Sequence, residues 1–148
     1  MSRSRALVLA LCAVAALLVP AGALAAPAAK AKPVVLVKTF QHSTFGKVLA
    51  VKGGKEAGKP LYYWRKEIRD GTECTGSCAV AWPPLLVPKG RKVKAKVAGI
   101  KGTFGVTTRP DGKRQLTHNG RPLYSYAHER PGQVLCDDVD EGFVIGRV

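Results

Sequence analysis

Residues 103–127 read TFGVTTRPDGKRQLTHNGRPLYSYA, and two turns inside this stretch decide the architecture. Pro110-Asp111-Gly112 combines a fixed φ, a side chain able to cap its own turn and a residue tolerant of positive φ. Asn119-Gly120 is the favoured pair for a two-residue type I′ hairpin, whose twist matches that of the strands it joins. These turns delimit three strand-like runs, about 103–109, 113–118 and 121–127. Antiparallel neighbours joined in this way form a β-meander.

Outward from this stretch, the chain repeats itself. Gly58-Lys59-Pro60-Leu61-Tyr62-Tyr63-Trp64 recurs as Gly120-Arg121-Pro122-Leu123-Tyr124-Ser125-Tyr126, an offset of 62 that also pairs Glu67 with Glu129 and Cys74 with Cys136. Upstream, Thr44-Phe45-Gly46 answers Thr103-Phe104-Gly105 at an offset of 59. Repeat 1 is placed at about 44–88 and repeat 2 at about 103–148. Each is too small to bury a core alone, so the two are expected to pack about a pseudo-twofold axis. The first copy should carry strands near 46–52 and 59–65, and the β-branched runs 34–40 and 142–148 should add edge strands. Only 75–81 invites a helix, with Thr75 as N-cap and Pro83-Pro84 as the stop. The expected fold class is therefore mainly β: a small antiparallel meander domain of two repeated units with one short helix.

The N-terminus reads differently. Residues 6–26 carry no charge, follow Arg3 and Arg5 and end in small residues, the pattern of a secretory signal peptide cleaved after Ala25. Residues 26–33 form an Ala, Lys and Pro tether, and a single domain is expected over 34–148. The 148-residue chain has 24 Lys plus Arg against 10 Asp plus Glu, a net of +14. Loss of Arg3 and Arg5 with the leader leaves +12. No later apolar run approaches the roughly 18 residues of a membrane span, so no transmembrane segment is expected after cleavage.

Cys12 lies within the leader and is read as part of it. Export places Cys74, Cys78 and Cys136 where pairs tend to oxidise, and the odd number leaves one thiol over. The C-x-x-x-C spacing puts Cys74 and Cys78 about 6 Å apart on one helical turn, within disulfide reach. Cys136 is then the free or alternatively bridged thiol. A bridge from Cys136 to either partner and a metal site are the other readings. His42, His118 and His128 stand at no paired ligand spacing, so no metal or cofactor is expected.

The run Arg91-Lys92-Val93-Lys94-Ala95-Lys96-Val97 alternates basic with small apolar residues. As a strand it would set Lys92, Lys94 and Lys96 on one face. That face is read either as an edge guarded against aggregation or as a candidate anion-binding stripe, with Lys47, Lys52, Lys55 and Lys59 adding positive field.

The repeated motif places two rings at i and i+2 and a carboxylate three residues on: Tyr62, Trp64 and Glu67, then Tyr124, Tyr126 and Glu129. The carboxylates could accept hydrogen bonds from backbone amides or from a tyrosine hydroxyl of the other copy. Paired rings with a satisfied carboxylate make a good two-copy core, and this reading is preferred to a ligand-stacking surface.

This doubled Y-x-[FWY]-x-x-[DE] pattern, with CTGSCAVAWPPL at 74–85 and NGRPLYSYAHERPGQ at 119–133, resembles the bacterial secreted-repeat family, predicted lipoproteins with a Y-x4-D motif and a "secreted repeat of unknown function". The resemblance covers roughly 44–148. Glu67 and Glu129 stand where the family has Asp, Phe143 stands for its late aromatic, and Cys12 is not placed as a lipid-attachment cysteine. The resemblance implies a small exported β domain without assigned catalytic residues.

The residues point the same way. His128 beside Glu129, and Asp137, Asp138, Asp140 and Glu141 after Cys136, are the only loose catalytic or calcium candidates, and neither forms a recognisable set. The expectation is a non-catalytic protein, periplasmic or extracellular and associated with the cell envelope, whose partner is an anionic envelope polymer or lipid headgroup. Nucleic acid is set aside because the chain is exported. The alternative is an envelope redox or metal-associated protein using Cys74, Cys78 and Cys136.

Overall fold

The computed structural model describes residues 31–67, 74–138 and 142–148. The expected signal peptide and the first part of the expected tether lie outside them. The protein is mainly β, built from small antiparallel sheets with one short helix.

β1 (Val37–His42) pairs with β2 (Gly46–Val51) in a hairpin that matches His42 to Gly46. The turn is closed by a side chain: His42 Nδ1 accepts from the Thr44 amide at 3.1 Å. Gly46 takes φ +72°, which Gly adopts without a Cβ penalty. Thr44 and Phe45 thus lie in the hairpin turn and Gly46 opens β2, while Phe104 and Gly105 open a later strand. Gly105 has its own reason for being glycine, since a Cβ there would lie 3.0 Å from Thr117 Oγ1.

β3 (Tyr62–Trp64) is shorter than the expected 59–65, because Pro60 brings no amide and makes only an isolated bridge to Ala50. The helix α1 (Gly76–Ala81) follows, with Thr75 at its N-cap position but without a side-chain cap bond. β4 (Phe104–Thr108), β5 (Arg114–His118) and β6 (Arg121–Pro122) form the expected meander. Its turns behave as their residue types require. Asp111 Oδ1 accepts from the Lys113 amide at 3.0 Å, and Asn119 and Gly120 both take positive φ, at 53° and 78°. β7 (Phe143–Ile145) ends the chain and pairs with β3, Trp64 opposite Phe143.

β6 stops at Pro122 instead of running to 127 because another segment takes its place. The Leu85 amide donates to Leu123 O at 2.9 Å, and Leu85 O accepts from the Leu116 amide at 2.8 Å. Gly146 does the same elsewhere, donating to Leu61 O at 2.8 Å and accepting from the Leu49 amide at 2.7 Å. Residues 83–87 thus lie against β5 and Tyr124, and the C-terminal run lies between β2 and the residues entering β3.

The lysine-rich run is not a strand. Val93 makes one parallel bridge to Val34, held by Val34 N to Lys92 O at 2.8 Å and Lys94 N to Val34 O at 2.9 Å. The alternation largely survives, with Lys92, Lys94 and Lys96 exposed and Val93 and Val97 half-buried, although Ala95 is exposed as well. Beyond that bridge the run accepts one further backbone bond from a strand, Phe104 N to Ala95 O at 2.9 Å, too few pairings to form a ladder.

Two apolar clusters share the interior. Val37, Leu49, Leu61, Phe104, Leu116 and Leu123 are among the first; Val48, Tyr62, Trp82, Tyr124, Phe143 and Ile145 are among the second. β2 feeds both, Leu49 into one and Val48 into the other, so it reads as a continuous apolar run. No helix among the described residues is long and apolar enough to cross a membrane.

Candidate functional site

The two motif copies meet at their tyrosines. Tyr62 N donates to Tyr124 O at 2.8 Å and Tyr124 N to Tyr62 O at 3.0 Å. Each hydroxyl then crosses to the carboxylate of the other copy. Tyr124 donates to Glu67 Oε1 at 2.7 Å, and Tyr62 donates to Glu129 Oε1. The same oxygens accept backbone amides, Cys74 N at 3.1 Å on Glu67 and Leu135 N at 2.7 Å on Glu129. With Glu67 2 % and Glu129 3 % exposed, these bonds replace the water lost at Oε1 of each carboxylate, while Oε2 of each is buried and takes no part in them.

The electrostatics follow from that burial. Burial, and then the bond to Glu129, holds the Tyr62 proton well above the usual phenol range; burial and Glu67 do the same for Tyr124. Burial pushes the Glu129 carboxyl up, opposed by the Leu135 amide and the Tyr62 hydroxyl.

Six rings pack around this centre. Trp82 stacks on Phe143 with centroids 3.8 Å apart, Tyr62 meets Trp82 edge-on at 5.2 Å, and Tyr124 meets Phe143 edge-on at 5.6 Å. Trp64 lies parallel to Phe143 at 5.5 Å, and Tyr126 lies tilted on Trp82 at 4.7 Å. Tyr62 and Tyr124 are fully buried, and Trp64 and Tyr126 half-buried. The rings are spent on one another, leaving no open aromatic platform at the paired tyrosines.

Cys74 and Cys78 form a disulfide across the start of α1. Cys136 is half-buried against the second apolar cluster and takes no part in that bond. The Cys74 carbonyl accepts from Arg109 Nη2 at 2.7 Å, and Arg109 Nη1 donates to Gln115 Oε1 at 2.7 Å. Gln115 in turn donates to Leu123 O at 2.9 Å. Arg109 is only 3 % exposed, a cation placed by carbonyl oxygens and, at 3.6 Å, by Asp111. Sequence reasoning passed over Arg109 because an arginine ahead of a Pro-Asp-Gly turn carries no mark of burial.

The histidines lie apart. His42 closes its turn, and His128 is exposed beside Tyr126. His118 is buried, with Nε2 2.7 Å from Lys101 O and Nδ1 2.5 Å from the Tyr63 hydroxyl. A carbonyl can only accept, so Nε2 carries the proton and Nδ1 accepts from Tyr63. Burial lowers the His118 pKa, and the Tyr63 hydroxyl is pushed up to about 12 by burial, against the Arg121 guanidinium over its ring. Asp137 bonds Arg147 and the Ile145 amide, and Asp138 pairs with Arg65 at 2.8 Å. Asp140 and Glu141 lie outside the described residues. Among the described residues, no group of three or more His, Cys, Asp or Glu side chains is placed to hold a metal ion.

The positive charge lies outside this centre. Residues 74–110 contain no Asp or Glu. Within them, Lys89, Lys92, Lys94 and Lys96 are exposed, and Lys96 reaches Gly102 O at 3.2 Å. Lys47, Lys52 and Lys55 are exposed too, while Lys59 turns inward to Ala127 O and Glu56. An open groove of about 530 Å³ starts where the lysine run begins, lined by Leu86, Val87, Pro88, Lys89 and, across from them, Gly112, Lys113 and Arg114. Arg114 ties the two features together, donating to Pro88 O at 3.2 Å and Arg91 O at 2.8 Å.

No family model, curated protein or solved structure matches this chain.

Proposed function

We propose that the protein is an exported, non-catalytic module of the secreted-repeat type that binds an anionic component of the cell envelope through its lysine-bearing surface. One observation carries the reading: the hydroxyls of Tyr62 and Tyr124 and one oxygen of each of Glu67 and Glu129 are bonded inside the fold, whereas Lys92, Lys94 and Lys96 face outward from a stretch free of acids. Chemistry needs an accessible reacting group, and recognition needs an accessible charge. The exposed lysines offer the second, and the reading rests on them. The reading also takes the chain as two interlocked units about an axis between Tyr62 and Tyr124. The exchanged tyrosine bonds and the like placements of Leu85 and Gly146 support it. The redox alternative has less behind it, since Cys74 is wholly buried and Cys136 lies partly within the second cluster.

The test is binding of the full chain to poly(glycerol phosphate) and to a neutral polysaccharide at low and high salt. Binding to the anionic polymer alone, weakened by salt and by the Lys92→Glu/Lys94→Glu/Lys96→Glu variant, is expected. Equal, salt-independent binding to both polymers would sink the proposal.

A further inference from the structure

We propose that the groove between Leu86–Lys89 and Gly112–Arg114 seats an anionic phospholipid, its phosphate on the lysine rim and its first acyl carbons on the Leu86–Pro88 floor. This deepens the function proposed above and rests on it. A repeating phosphate polymer asks only for cations, so it gives no account of the floor. Leu86 is a large apolar side chain left 39 % exposed, and Val87 and Pro88 line the same hollow. Apolar surface held in a concave site is stabilised when an apolar partner displaces its water.

The rim supplies the complementary charge. Lys89 is exposed on one side and Lys113 on the other, with Arg114 between them. Asp111 is the acid at this rim. Its carboxylate pairs with Lys113 at 3.3 Å and also faces the Lys113 amide and the buried Arg109, so one acid stands against Lys89, Lys113 and Arg114 and the rim stays net positive. Gly112 adds no side chain to the wall, and a Cβ there would meet nothing within 4 Å. The volume of about 530 Å³ exceeds what one phosphate fills and lies within the ~300–1,000 Å³ of small-molecule sites. Beyond the groove, Lys92, Lys94 and Lys96 extend the positive strip, as a surface resting on many headgroups requires.

The experiment follows backbone amide shifts of the full chain during titration with dihexanoyl phosphatidylglycerol, dihexanoyl phosphatidylcholine, glycerol phosphate and poly(glycerol phosphate). Saturable shifts at Leu86, Val87, Lys89 and Gly112–Arg114 are expected with phosphatidylglycerol, with weaker response to the zwitterion and to glycerol phosphate. The Lys89→Glu/Lys113→Glu variant should lose about tenfold or more in affinity. Leu86→Ser should weaken the lipid and leave the polymer unchanged; both variants lie on the surface, and their amide spectra report the fold directly. Equal response to the two lipids, or to phosphatidylglycerol and glycerol phosphate, overturns the groove proposal. If the polymer binds while the groove stays silent to lipid, the groove is lost and the anionic-surface reading stands. If neither binds, both fall.

Discussion

Tyr124 and Glu67 show what one hydroxyl does in this interior. The carboxylate is buried, and the phenol is a donor aimed at it. Tyr124→Phe keeps the ring packing on Phe143 and removes that donor. Hydrogen bonds to charged groups are worth about 1.5–3 kcal/mol, and urea unfolding should show a loss of this size. An unchanged midpoint would mean that water reaches Glu67 in the variant. His118 offers a test by pH. Its folded pKa is depressed by burial, so the unfolded chain binds the proton more readily. The stability tied to neutral His118 is complete above its unfolded pKa of about 6.5 and is lost as pH falls through the lower folded value. Glu129 acts with opposite sign, since its raised pKa makes its contribution complete below the unfolded carboxyl value and lost as pH rises. Comparing the wild type with His118→Gln isolates the histidine, and the variant should show a flatter stability profile just below pH 6.5. The Y-x4-E spacing made the tyrosine–carboxylate exchange legible as an option. Arg109 and the Tyr63–His118 contact were not legible, because their partners come from chain positions that only the fold brings near.

At the scale of elements, the meander of β4, β5 and β6 could be read because its turns demand special φ values that few residue types supply. Asn119-Gly120 is such a demand written out. Residues 83–87 could not be read in this way. Pro83-Pro84 marks a stop for α1 and hides the pairing that Leu85 then makes with Leu116 and Leu123. The lysine run erred in the other direction, since its alternation suggested a strand where only Val93 finds a bridge. The C-terminal run shows how tight the interleaving is. At Gly146 a Cβ would lie 3.0 Å from Leu61 O and 3.1 Å from Leu49 Cδ1, one of them backbone. Gly146→Ala should cost about 1–3 kcal/mol through overpacking, measurable by thermal or urea unfolding, and leave the β4–β5–β6 amides the least shifted. A neutral result would show that the C-terminal run can move outward without loss.

The whole molecule separates two tasks. Its interior holds aromatic rings and two carboxylates turned toward one another, with Arg109 bonded to Cys74 O and Gln115, and exposed lysines carry part of its charge excess on the surface. Composition foretold the excess but could not place it, because net charge carries no direction. The location came from the absence of acids over 74–110 together with the outward alternation of the lysines. One feature of the interleaving bears on how the fold closes. β3 takes its strand partner from β7, and β2 receives the Gly146 carbonyl, so residues 48–64 are closed by residues 143–146, far away along the sequence. Until that distant stretch docks, the amide of Leu49 and the carbonyl of Leu61 lack their partners, so both segments should open and close to solvent exchange as one unit.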